Sequence, residues 1–331
     1  MRARMIIRLA PAILLLGICG ESKAQAPEPL VPETKIALGD VSGRIDHLAV
    51  DLARQRLFVA ELGNDSVGVV DLQTKKVVQR IKGLREPQGV GYVAETDTLY
   101  VANAGDGSVR RFKGADFAPL GQLDLGDDAD NIRVDSRAHQ VVIGYGSGAL
   151  AFLDIATAQK TADIRLPAHP ESFQLEHGGT RIFANVPDAR QIAVLDRAAG
   201  RQTAQWTLPD ARANFPMALD EAGGRLIVVY RRPAQLAVFD TTSGSVIVHV
   251  PTCGDADDVF LDAKRQRLYV SCGEGLLHIL QRQGDTINSL ARLTTVSGAR
   301  TALFVPELDR LFLAVRARGA ERAAIWVYRP V

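Results

Sequence analysis

One pattern recurs along this chain at an interval of about 42 residues, and few folds accommodate it. The segment LAVDLARQRLFVAE (Leu48–Glu61) returns as VGYVAETDTLYVAN from Val90, IRVDSRAHQVVIGY from Ile132 and FQLEHGGTRIFANV from Phe173. It returns again as MALDEAGGRLIVVY from Met217, VFLDAKRQRLYVSC from Val259 and ALFVPELDRLFLAV from Ala302. The position of Asp51 recurs at Val93, Asp135, Glu176, Asp220, Asp262 and Val305, in steps of 42, 42, 41, 44, 42 and 43 residues. A period of this length marks a chain built from stacked copies of one supersecondary unit.

Each copy reads as two apolar strands around a tight polar turn. A third strand follows as SVGVVD, SVRRFK, ALAFLD, QIAVLD, QLAVFD or LLHILQ, and a fourth as in KVVQRI and VIVHV. Short runs rich in Val, Leu, Ile and Phe between Gly, Asp and Asn turns predict β-structure throughout. Four strands per unit predict the blade of an all-β propeller with four-stranded antiparallel blades. One blade cannot bury both its faces, whereas seven stacked in a ring bury them against each other. The seventh unit, ending in AIWVYRPV, lacks a fourth strand, and TKIAL (Thr34–Leu38) is spare at the other end. That strand is predicted to complete the last blade and leave the ring without an open edge.

TLYVANAGDGSVRRF (Thr98–Phe112) and RLFVAELGNDSVGVVDLQTKKVV (Arg56–Val78) resemble the YVTN repeat, and the resemblance spans 34–331. It implies a seven-bladed, secreted or periplasmic propeller and says little about chemistry. Val93, Val305 and Lys113 depart from the pattern at turn or strand-end acids.

The N-terminus has the make-up of an export signal. Arg2, Arg4 and Arg8 precede an apolar run from Leu9 to Ile18 that is too short to span a bilayer. Ser22-Lys23-Ala24 fits the cleavage rule, so residues 1–24 are expected to be removed after Ala24. Ile18 is too bulky for lipid attachment at Cys19. Residues 25–33 read as a proline-rich leader, and 34–331 as the propeller domain. A periplasmic or secreted monomer is expected. The net charge of +1 and the absence of basic runs with aromatics exclude nucleic acid as a partner class. Cys253 and Cys272, an even pair in an oxidising compartment, are predicted to form a disulfide; the alternative is a soft-metal site using both thiols.

The residues preceding each inner strand should rim one mouth of the central channel. They are Arg44–His47, Glu86–Gly89, Asp128–Asn131, His169–Ser172, Ala213–Pro216, Asp255–Asp258 and Gly298–Thr301. These segments hold eight acids and no lysine, against roughly three acids expected from the chain average, so the mouth is acid-rich. Asp46, Gln88, Asp130, Glu171, Phe215, Asp257 and Arg300 share one register and should converge. Candidate ligand-binding residues are these together with Arg44, His47, Asp128, Asn131, His169 and Asp258. Two carboxylates at about 7 Å repel by about 2 kcal/mol in a partly polar surround. Relief can come from Arg44, Arg133 and Arg300, from protonation, or from a divalent cation on Asp46, Asp130, Glu171 and Asp257. Oxygen ligands favour Ca²⁺, and His47 and His169 would shift the choice toward Zn²⁺.

The loops between second and third strands should open on the same face and contribute Glu61, Asn64, Asp65, Asn103, Asp106, Tyr145, Tyr230, Arg231, Arg232, Arg316 and Arg318. At the opposite face, Asp51, Asp135, Asp220 and Asp262 open turns and Asp71, Asp154, Asp196 and Asp240 close strands, which predicts turn hydrogen bonds. His139 and His177 lie in those turns and should be exposed.

No haem-attachment motif, phosphate-binding glycine loop, Gly-x-Ser-x-Gly elbow or helix–loop–helix calcium loop occurs, so haem and nucleotide are not expected. Two functional classes remain. The first is a platform that binds a small molecule or a periplasmic protein through the acidic mouth. The second is a metal-dependent hydrolase, lactonase or lyase in which the cation polarises a carbonyl and His47 or His169 acts as base. Gluconolactonase-type propellers supply an analogy for the second, although they have six blades.

Overall fold

In the computed structural model, residues 28–331 are described; the export signal and residues 25–27 of the leader lie outside them. The chain forms seven antiparallel sheets of four strands each, arranged as the blades of a ring. The inner strands are Leu48–Asp51, Pro87–Val93, Ala129–Asp135, Phe173–Leu175, Arg212–Asp220, Ala256–Asp262 and Ala302–Val305. Among the described residues no helix is long and apolar enough to cross a membrane.

Burial follows position within the blade. Second strands such as Arg56–Glu61 and Gln140–Tyr145 are buried on both faces, because a neighbouring blade covers each. Fourth strands such as Lys76–Lys82 and Pro119–Asp124 are mostly exposed. The core therefore lies between blades. Leu150 and Phe152 of blade three pack on Phe173, Ile182 and Ala184 of blade four. Val229 and Leu236 of blade five pack on Leu268 and Val270 of blade six.

The N-terminal strand closes the ring as expected, pairing with Ala324–Pro330 in the seventh blade. It runs Leu30–Ala37, so residues 30–33 belong to the blade and not to the leader. Leu30 is fully buried against Tyr269, Leu277 and Leu311, an anchor that the surrounding prolines obscure in the sequence. Pro32 is tolerated because this is an edge strand with a register shift between Pro32 and Thr34.

Two backbone features shape the mouth. Glu86, Asp128, Ala213, Asp255 and Gly298 share one register and all have positive φ, which swings the chain from the previous blade onto the inner strand. Just after them the pairing shifts register, between Pro87 and Val90, Ala129 and Ile132, Asn214 and Met217, and Ala256 and Asp258. Such bulges re-aim side chains, and here consecutive residues such as Asp257 and Asp258 both reach the channel. The inner strands of blades two and three approach closely: a Cβ on Gly89 would lie 1.9 Å from the Asp130 carbonyl oxygen.

The opposite face is held by arginines. Arg54 bonds Asp51, Asp97 and the Tyr92 hydroxyl, stapling blade one to blade two. Arg265 bonds Asp262 and, through two parallel bonds of 2.7 Å each, Asp309, stapling six to seven. Arg197 reaches Asp135, and Arg282 reaches Asp220 at 2.5 Å. The turn amides also bond the acids as expected, at Arg54 on Asp51, Gly223 on Asp220 and Thr74 on Asp71. His139 and His177 are exposed there, facing Glu95 and Glu221.

Candidate functional site

Register and burial place three levels of side chains down the channel. The outermost is the expected ring of Asp46, Gln88, Asp130, Glu171, Phe215, Asp257 and Arg300. Below it come His47, Gly89, Asn131, Ser172, Pro216, Asp258 and Thr301. The third holds Ala49, Gly91, Arg133, Gln174, Ala218, Phe260 and Leu303. Charge thins with depth, leaving Arg133 alone at the third level.

The channel-facing edge of each inner strand carries backbone groups with no neighbouring strand, and buried groups of this kind need partners. Side chains from the preceding blade supply several. Arg133 donates to the Phe173 carbonyl at 3.1 Å and Gln174 to that of Met217 at 2.9 Å. Asn185 donates to Phe215 O at 2.9 Å, and Thr301 to Ile45 O at 3.0 Å. The Ala302 amide donates to the Asp258 carboxylate at 2.8 Å.

At the outer level the residues fall into two groups. On blades one to four, Arg44 contacts Asp46 at 2.7 Å and Gln88 at 3.3 Å, and Gln88 donates to Asp128 at 3.4 Å. His47 Nε2 lies 3.8 Å from both Asp46 and Asp130. His169 lies 3.5 Å from Asp128 and 4.0 Å from Asp130, with Nδ1 on the Gly146 carbonyl at 2.6 Å. Asn131 donates to Asp130 at 3.3 Å. Oxygens of Asp46 and Asp130 are nonetheless buried without a well-aligned hydrogen bond.

On blades five to seven, Asp257 is held by Arg231 and, at 2.9 Å, by Arg300. Arg300 also bonds Asp255 at 2.9 Å, and the Arg231 guanidinium lies 3.7 Å from the centre of the Phe215 ring. The sequence places Arg231 in an open loop. It extends a strand that runs to Arg232, so its side chain turns into the mouth as a charge partner. Of the loop arginines, Arg231 is thereby spent on the acids of blade six, while Arg318 bonds Ser297.

Several other loop residues are structural. Glu61 is completely buried and paired with Arg80 at 2.7 Å, and Asn103 bonds the Ser108 backbone at 3.1 Å. Tyr230 is buried, and the Tyr145 hydroxyl donates to Asp163 at 2.9 Å. Each lies at or near the end of a second strand, in the same register as Cys272, so its side chain lies between blades. Cys272 and Cys253 form the expected disulfide, with Cα atoms 5.9 Å apart, which removes the soft-metal alternative.

Proton affinities differ sharply within the first group. Burial raises the Asp46 carboxyl to about 7, with Arg44 pulling down and Asp130 pushing up. Burial and then the Asp130 charge raise Glu171 to about 8. Asp130 resists burial and stays below the usual range, because His169 and His47 favour its ionised form. Burial lowers the His169 imidazole, but Asp130 and the Gly146 carbonyl outweigh it and raise the group to about 9. Burial lowers the His47 imidazole, with the Asp130 charge pulling the other way. Burial raises Asp257 while Arg300 and Arg231 pull it back. Glu171 has no ion-pair or side-chain hydrogen-bond partner among the described residues.

Among the described residues, no three His, Cys, Asp or Glu side chains are placed to hold a metal ion. Of the expected quartet, Asp46 faces Arg44 and Asp257 is held between two guanidiniums, while Asp130 and Glu171 remain nearer the histidines.

No family model matches the chain, and no curated protein sequence does either. Many solved structures share the fold. A chain of hydrazine synthase from Kuenenia stuttgartiensis superposes with a TM-score of 0.74 at 17% identity, covering 85% of this chain and 97% of that one. A chain of the mitotic checkpoint complex gives 0.74 at 12% identity over 98% and 99% of the two chains. The WD40 repeats of RRP9 give 0.78 at 9% identity over 92% and 98%. At these identities the likeness is one of fold.

Proposed function

We propose that this protein is an exported binding platform whose channel mouth receives a cationic group, either from a small molecule or from a basic side chain of a partner protein. The propeller fold is consistent with a protein-binding platform. Export rests on the Arg2–Ala24 signal pattern, with the Cys253–Cys272 disulfide compatible with an oxidising compartment. The observation that carries the reading is Glu171. Its carboxyl lies largely buried in the channel wall, near Asp130, and has no guanidinium partner. An incoming cation would relieve that repulsion and let Glu171 ionise, so binding releases a proton. Arg44, Arg231 and Arg300 hold the surrounding acids in place and keep the mouth from collapsing onto them.

The metal-assisted hydrolase reading would require Asp46 and Asp257 to leave their guanidinium partners before coordinating a cation. The platform reading uses the residues as they stand. Calorimetry with spermidine and with a hexalysine peptide tests it. Wild type should bind at least one of them, with affinity rising from pH 6 to pH 9, and Glu171→Gln should weaken binding by about tenfold. Equal affinity in the two proteins would remove the mouth from consideration. Calcium or zinc raising thermal stability in wild type but not in Asp130→Asn would favour the metal reading instead.

A further inference from the structure

A cavity of about 420 Å³ lies in the lower channel, on the side of blades three to six, and its turn residues Ala222 and Ala263 place its opening at the face opposite the mouth. Its volume falls in the range of small-molecule sites. Arg133 and Asp258 both line it, from opposite sides of the channel. They form no ion pair with each other within 4.0 Å. Each is instead held by the backbone. Arg133 spends Nε on the Phe173 carbonyl, Nη1 on its own Ile132 carbonyl and Nη2 on the Ser172 hydroxyl. A guanidinium has five N–H groups, so two remain unused. Asp258 accepts the Ala302 amide at Oδ2, and its Oδ1 has no hydrogen-bond partner among the described residues.

The other acids of the cavity are already engaged. Asp220 is paired with Arg282, and Glu221 accepts the amides of His177 and Gly178. The rest of the wall combines Ser172 and Gln174, already bonded to Arg133 and to the Met217 carbonyl, with the apolar Met217, Leu219, Phe260 and Leu261. The cavity therefore offers one spare cationic donor set, one spare carboxylate oxygen and an apolar surface between them.

We infer that this lower cavity binds the zwitterion of a free amino acid with an apolar side chain, its carboxylate on Arg133 and its ammonium on Asp258. Burial pushes the Asp258 carboxyl well above its ordinary range, with Arg133 too far away to pair with it, and a ligand carrying both signs lets Asp258 ionise while satisfying Arg133. A ligand with only one charge leaves the other group unpaired, which is the discrimination that polar sites make best. The site differs from the mouth: it opens on the other face and requires a carboxylate, which the mouth disfavours.

Calorimetry with L-leucine and L-phenylalanine, set against isopentylamine and 3-phenylpropionate, tests the assignment. The amino acids should bind, and each monofunctional analogue should bind about thirtyfold more weakly or not at all. Arg133→Gln and Asp258→Asn should each produce a loss of the same size. Ala218→Phe fills the third level without removing a charge and should abolish binding, so the result stands even if Arg133→Gln does not fold. The proposal is overturned if no amino acid binds at millimolar concentration. It is equally overturned if isopentylamine binds as tightly as leucine, or if leucine affinity survives in Ala218→Phe.

Discussion

Asp46 at the channel mouth and Asp309 at the opposite face are both aspartates beside an arginine, and their carboxyls shift in opposite directions. Asp46 is 1% exposed, and burial lifts it to about 7 in spite of Arg44. Asp309 keeps about a third of its side chain in water and meets Arg265 through two parallel 2.7 Å bonds, which hold it below the usual range. The same division separates Asp46 and Glu171 from Asp71, Asp154, Asp196 and Asp240, whose turn amides lower them. The difference lies in solvation and geometry, not in residue type. Carboxylates that stay wet and well bonded are held ionised, while carboxylates buried close together are pushed toward their neutral form.

The contrast should appear first in stability. Arg265→Ala removes the staple between blades six and seven and leaves Asp262, which is 2% exposed, without its guanidinium. A loss of about 3 kcal/mol is expected by denaturant unfolding, with spermidine binding unaltered. A smaller loss, about 2 kcal/mol, is expected for Asp257→Asn, which leaves Arg231 and Arg300 sharing Asp255 as their remaining carboxylate at the mouth. A loss in Asp257→Asn larger than that in Arg265→Ala would invert the comparison.

Glu171→Gln should do the opposite and raise stability by about 1 kcal/mol, because it removes a repelled buried acid. It should also change the pH profile. Asp46 and Glu171 hold protons in the folded state that the unfolded chain releases near its ordinary carboxyl range. The stability linked to them is complete below about pH 4 and is lost as pH rises through about 7 to 8. Asp71, Asp135 and Asp309 act in the other direction: their contribution is present above about pH 4 and is lost on acidification. Thermal unfolding of wild type should therefore show a falling Tm between pH 5 and 8.5, and Glu171→Gln should flatten that limb. The smallest effect is spectroscopic. Asp130→Asn should bring the His169 imidazole down from about 9 by removing its chief anionic neighbour, as followed by NMR titration of the ring.

Much of this was legible in the sequence. The strand pairs around Asp51 and its six equivalents, the closure by the N-terminal strand and the Cys253–Cys272 bond all follow from period and spacing. So does the convergence of Asp46, Asp130, Glu171 and Asp257. Arg231 was not legible as a mouth residue, since its role depends on how far one strand continues past Tyr230. Glu61 and Asn103 were misread as loop residues because nothing local marks the end of a second strand as buried between two blades. Leu30 was missed because its anchor, Tyr269, lies 239 residues away.

The repeat determined by itself how many blades there are, which strand lines the channel and which acids share a level, because period and alternation are properties of the chain alone. Only the closed ring decided which of those acids keep their charge. That depends on which arginine of another blade arrives, at what angle and with how much water left, and these are distances across a circle that no stretch of sequence contains.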